Sequence, residues 1–97
     1  MSSFHFTNKA VDDLSEIWIY SFETWSERQA DKYYNLILFS CNELAMNPSL
    51  GKDYEIVSKG IKGYKTGEHI IFYSVISKNE IEVLRILHGM MDLKAWI

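Results

Sequence analysis

The one proline, Pro48, marks a change of hydrophobic period, and that change limits the fold more than any other feature of the sequence. Before it, apolar side chains recur at spacings of three and four, the repeat of an amphipathic helix. After it, β-branched and aromatic residues gather in short runs that suit a pleated surface. The pattern predicts an α+β chain, a helical hairpin followed by an antiparallel sheet.

The helical half opens on Phe4-His5-Phe6, an alternation long enough only for a small strand, and on Thr7, whose hydroxyl can cap the next element. From Lys9 onward Val11, Leu14, Ile17, Trp18, Phe22 and Trp25 form one helical stripe. Asp12, Asp13 and Glu16 lie in or near the first turns, where the helix dipole favours anions. The two adjacent aspartates face different directions, so a solvated surface is expected for both. Ser26 followed three residues later by Gln29 is a capping box, and a second helix should start there almost at once. Its stripe is Ala30, Tyr34, Ile37, Cys41, Leu44 and Ala45, and it should end at Asn47, because a following proline disfavours helical geometry. Two such helices with a tight turn make an αα-hairpin.

Residues 49–60, with Gly51 and Gly60, read as a loop. Strand signals follow at 61–66, 69–77 and 80–88, the last two joined by a two-residue turn at Lys78-Asn79. Gly89 breaks the third, and 90–97 should form a short terminal helix or tail. In the third strand Ile81, Val83, Arg85 and Leu87 should point one way and Glu82, Leu84, Ile86 and His88 the other. Apolar residues on both faces predict an interior strand covered on both sides. The hairpin would cover one face; the tail, with Met90, Leu93 and Trp96, or a partner would cover the other.

Composition narrows the class. Ninety-seven residues suit one domain spanning 1–97, and a 47% hydrophobic content can fill its core without metals or disulfides. Cys41 is alone, so no internal disulfide can form, which fits a reducing cytosol. The N-terminus lacks the basic and apolar regions of a signal peptide, and no apolar run approaches a membrane span. Net charge is −3, divided unevenly: residues 1–48 carry three basic groups against seven acidic, and residues 49–97 seven against six. That is a weak footprint for a nucleic-acid binder.

No phosphate-binding glycine loop, zinc-protease motif, CxxC or nucleophile elbow occurs, and His5, His69 and His88 lack metal-ligand spacing. Cys41 lies on the apolar stripe and reads as a core residue. Lys59, Lys62 and Lys65 form a loose basic series, either a solvated edge or a contact for an acidic partner or phosphate backbone. Arg85, His88 and Asp92 are the strongest polar group. Arginine in an apolar strand needs a partner, and Asp92, just past Gly89, could reach back to it. The group reads as a structural ion pair tying tail to sheet, or as a polar surface that contacts a macromolecule.

The residues also resemble a known family in order along nearly the whole chain. Thr7, Ala10, Asp13-Leu14, Ile17 and Tyr20, then Trp25-Ser26, Gln29-Ala30 and Tyr33, resemble the first half of ParE toxins. Asn47-Pro48 with Gly51-Lys52 is similar to the family's middle loop, with Lys52 where an arginine is common. Gly67-Glu68-His69, Ile71-Phe72-Tyr73, Ile86-Leu87-His88 and Met91-Asp92 resemble its last two strands and tail. The resemblance implies a RelE/ParE-like β-α-α-β-β-β fold, with the antiparallel sheet packed against the helical hairpin. It implies a bacterial type II toxin that inhibits DNA gyrase by trapping its cleaved-DNA complex. A ParD-type antitoxin would neutralise it in a cytoplasmic toxin–antitoxin hetero-oligomer. It implies no cofactor, no catalytic residue and no sequence-specific nucleic-acid binding. The alternative is a RelE-like ribosome-dependent mRNA endonuclease, which needs an acid or base and several cations around the scissile phosphate. A net acidic chain with two arginines, Arg28 and Arg85, and no histidine or tyrosine in its tail fits that poorly. Expected target contacts are Lys62, Lys65, Arg85, His88, Asp92, Lys94 and Trp96; expected antitoxin contacts are Trp18, Trp25 and Tyr33.

Overall fold

The computed structural model describes residues 2–55 and 58–89. Strand β1 (Ser3–Phe6) leads into helices α1 (Asn8–Thr24) and α2 (Glu27–Met46). A single 3-10 turn (Pro48–Leu50) and strands β2 (Lys52–Asp53), β3 (Lys62–Thr66), β4 (His69–Ser77) and β5 (Glu80–His88) come next. The sheet order is β1-β5-β4-β3-β2. β2 to β5 are antiparallel as expected, whereas β1 runs parallel to β5, so the sheet is mixed. The parallel pairing follows from the hairpin, which carries the chain away from β1 and returns it with β5 alongside. β2 lies within the stretch expected to be loop.

Thr7 joins helix to sheet. Its hydroxyl accepts from the Ala10 amide and donates to the Leu84 carbonyl, while its own amide donates to the Val83 carbonyl. Ser26 caps α2 by accepting from the Gln29 amide, as its motif predicts. Pro48 occupies the first position of the 3-10 turn, so α2 ends where the sequence requires.

Ala10, Leu14 and Ile17 of α1 and Ile37, Cys41, Leu44 and Ala45 of α2 close over Ile71, Tyr73, Ile81, Val83 and Ile86 of the sheet. Each such large apolar side chain is worth about 1.5–3 kcal/mol when removed from water. The expected α1 stripe is rotated. Val11, Phe22 and Trp25 are exposed, Trp25 at 72%, and Asp13 and Ser21 are buried in their place. A helix presents only one narrow side to the sheet, and α1 presents the side on which Asp13 finds donors. Asp13 is therefore not the solvated residue that its sequence context suggests.

The sheet's other face carries a second cluster, Ile61, Ile70, Phe72 and Leu87 with Tyr54 and Leu84 packed on it. This fits the two-sided apolar pattern of β5, with Tyr54 and Ile61 of the middle connection contributing cover; the expected cover from the tail at Met90, Leu93 and Trp96 lies outside the described residues. A register shift opposite Phe72 and Tyr73 leaves Leu84 as an extra residue in β5. Strict alternation fails there: Val83 and Ile86 pack toward the helices, Leu84 and Leu87 away from them. Two close approaches fix the remaining connections. Gly67 has φ of +56° in the two-residue β3–β4 turn, and a Cβ there would come within 2.6 Å of the Tyr33 ring. The Tyr73 hydroxyl donates to the Pro48 carbonyl at 2.7 Å and accepts from the Gly51 amide, closing the middle loop onto β4.

Candidate functional site

The ends of β4 and β5, the α1 face around Asp13 and the N-terminal half of α2 enclose a cleft of about 770 Å³. Ile17, Tyr20, Trp25, Tyr33, Ile86 and Leu87 give it apolar walls; Asp13, Glu16, Glu68, His69, Arg85 and His88 supply ionisable groups.

Its inner edge is set by Asp13. β1 ends at Phe6, and beyond it the edge of β5 has no strand neighbour among the described residues. Asp13 takes that place: Oδ2 accepts from the Ile86 amide at 3.0 Å and from Arg85 Nε at 2.7 Å, and Oδ1 accepts from Arg85 Nη2 at 2.9 Å. Both side chains are nearly buried. The carboxylate thus completes the sheet's backbone pairing and neutralises the guanidinium, satisfying two groups that would be costly to bury alone. The hydrogen bond to Asp13, foremost, raises the Arg85 pKa. Among the described residues Asp13 is the carboxylate paired with Arg85; the expected partner, Asp92, lies outside them.

At the outer edge, Tyr33 ties α2 to the β3–β4 turn. Its hydroxyl accepts from the Glu68 amide at 2.9 Å and lies 2.6 Å from His69 Nδ1. Burial raises the Tyr33 pKa, and burial followed by the neighbouring His88 lowers that of His69. His69 and His88 are direct cross-strand partners with ring centroids 5.4 Å apart. Among the described residues no three His, Cys, Asp or Glu side chains gather as a metal-binding group.

The expected target contacts are divided. Arg85 and His88 share the cleft, but Lys62 and Lys65 are three residues apart on β3 and so face opposite sides of the sheet. The basic series is not one patch. Lys62 bonds Asp53 Oδ1 at 2.8 Å, a contact that raises its pKa. Asp92, Lys94 and Trp96 lie outside the described residues. Of the expected antitoxin contacts, Trp25 and Tyr33 line the cleft. Trp18 lies on the outer side of the hairpin, stacked on Phe22 at 5.3 Å and donating to Asp31 Oδ1. Cys41 is fully buried, and burial pushes its pKa up to about 12, which removes it as a nucleophile. Asp13, Glu68 and His69 were absent from the expected site. His69 was nonetheless within reach of the sequence: counting outward from the Lys78-Asn79 turn pairs His69 with His88, and the two register irregularities in that hairpin cancel.

A phosphate-cleaving site concentrates cations where charge develops. Here Arg85 is engaged by Asp13 and Lys62 by Asp53, and Lys65 is on the other face. No helix among the described residues is long and apolar enough to cross a membrane.

The comparisons with known proteins agree among themselves. The family model described as "ParE toxin of type II toxin-antitoxin system, parDE" matches residues 4–93. The chain is similar to Toxin ParE1 of Mycobacterium tuberculosis, 31% identical over 94 residues and 96% of each chain. It is 30% identical over 95 residues to Toxin ParE1 of Caulobacter vibrioides, covering 98% of this chain and 97% of that one. In fold it is similar to a chain of a chromosomal ParDE toxin–antitoxin system from P. aeruginosa, with a TM-score of 0.75 and 23% identity over 91% of this chain and 96% of that one. A chain of the RelBE2 toxin–antitoxin complex from M. tuberculosis gives 0.64 and 19%, over 90% and 96%.

Proposed function

The chain belongs to the ParE toxin family of type II toxin–antitoxin systems, and from that premise we propose that it poisons DNA gyrase in the bacterial cytoplasm, without catalysis of its own, by holding the cleaved-DNA state. A protein needs no catalytic groups for this; it needs only to bind one state of a cycle more tightly than the next. The observation that supports the non-enzymatic reading is the division of the cations: Arg85 is paired with nearly buried Asp13, and Lys62 and Lys65 leave opposite faces of β3. On this reading the target contacts are Arg85 at the floor of the cleft and His88 at its mouth, with Lys62, Lys65 and the segment holding Asp92, Lys94 and Trp96.

A ParD-type antitoxin is the proposed partner. Trp25 and Tyr20, both exposed, line the cleft together, and an amphipathic helix could cover them with its apolar face. Trp18 and Trp25 are the proposed antitoxin contacts. Tyr33 would contribute its ring, since its hydroxyl is committed to Glu68 and His69.

Inducible expression in bacteria tests the reading. Growth arrest with broken DNA and an induced DNA-damage response is expected, reversed by co-expression of a ribbon-helix-helix antitoxin. Arrest of translation with intact DNA and cleaved mRNA would replace this reading with the endonuclease.

A further inference from the structure

We propose that His69 and His88 form a two-imidazole site for a late first-row divalent cation, with Zn²⁺ as its type, at the mouth of the cleft. The two residues are directly opposite each other on the antiparallel β4–β5 ladder, so their side chains leave the same face of the sheet. Two imidazole nitrogens at about 2.0–2.1 Å from a tetrahedral ion place their ring centroids roughly 5 Å apart. The observed separation is 5.4 Å, with planes at 78°. Small side-chain rotations therefore turn the edge-to-face pair into a chelate.

The hydrogen bonding around His69 already has the form a metal-binding histidine uses, with one ring nitrogen held and the other left for the ion. Tyr33 Oη is 2.6 Å from Nδ1, and among the described residues no hydrogen bond reaches Nε2. The protons balance. When Nε2 binds the ion, its proton moves to Nδ1, which then donates to Tyr33 Oη. The Tyr33 hydroxyl proton turns to the Thr66 carbonyl, 3.5 Å away, and the Glu68 amide still donates to the same oxygen. His88 has two ring nitrogens, so a ring held through one still presents the other. Glu16 and Glu68 line the same cleft and give it a negative field.

With two ligands among the described residues, the site differs from a closed four-ligand structural zinc site. An ion there would cross-link the ends of β4 and β5 and, through Tyr33, hold α2 against them. The inference stands on the geometry of the cleft and is independent of what the toxin acts on.

The experiment is a titration of the full 97-residue chain with Zn²⁺ alone, followed by calorimetry and by the ¹⁵N resonances of the imidazole rings. One-to-one binding is expected, with the largest shifts at His69 and His88. His69→Gln and His88→Gln should each weaken binding at least tenfold. Tyr33→Phe should weaken it by roughly tenfold through loss of the held tautomer, and His5→Gln should leave it unchanged. The ring resonances of the unaltered chain decide the matter even where a variant folds poorly. No saturable binding at millimolar Zn²⁺, shifts centred on His5, or affinity indifferent to His69→Gln and His88→Gln would overturn the site.

Discussion

The two carboxylate–cation pairs Asp13–Arg85 and Asp53–Lys62 have nearly equal lengths, 2.7 and 2.8 Å, and quite different roles. Asp53 is 69% exposed in its side chain and Lys62 pairs with it at the edge of the sheet, so water competes for both. Asp13 is 10% exposed and also accepts the Ile86 amide, a backbone group of the β5 edge that β1 is too short to cover. Contact distance does not separate the two; the difference is what each carboxylate would leave behind if removed. Loss of Asp53 leaves a solvated ammonium. Loss of Asp13 leaves a nearly buried guanidinium and an open backbone donor at the floor of the cleft.

Asp13→Ala should show the largest effect, a loss of about 3–5 kcal/mol, read as a lowered denaturation midpoint. Replacing Asp13 and Arg85 together by apolar residues should cost much less than Asp13→Ala alone, because no buried charge is stranded. Equal losses would mean that the Ile86 amide, and not the ion pair, carries the effect. Tyr33→Phe should cost about 1 kcal/mol, with faster amide exchange at Glu68 on the β3–β4 turn.

A pH series isolates His69. Its folded pKa lies below the ordinary 6.5, through burial and then His88, so the unfolded chain takes up that proton more readily. The stability that neutral His69 contributes is complete above pH 6.5 and declines as the pH falls through and below that value. His69→Gln should flatten this limb of the profile relative to the unaltered chain. The smallest effect belongs to the exposed pair: Lys62→Ala should change stability by roughly 0.5 kcal/mol or less, and less still at high salt. A loss near that of Asp13→Ala would erase the distinction between the pairs.

Much of this architecture can be read from local chemistry. The Thr7 and Ser26 caps, the stop at Pro48 and the Lys78-Asn79 turn lie where residue type dictates, because each acts within a few positions along the chain. Longer-range choices were less legible. Nothing near Asp13 in sequence shows that a strand edge 73 residues away needs an acceptor. The Leu84 bulge breaks an alternation that looks regular on paper, and two-residue spacing alone cannot show it. Lys59, Lys62 and Lys65 look like a patch in one dimension, yet the pleat of β3 sends Lys62 and Lys65 to opposite faces. Family membership, by contrast, was legible because it rests on an ordered set of residues and not on any one of them.

The most direct test of gyrase poisoning uses purified components. Relaxed plasmid, gyrase and ATP are incubated with the chain, the reaction is stopped with detergent and protease, and the DNA is resolved. Linear plasmid should accumulate as supercoiled product falls, and a bound ParD-type antitoxin should abolish both effects. Unimpeded supercoiling, together with cleavage of mRNA on translating ribosomes by the same preparation, would contradict it.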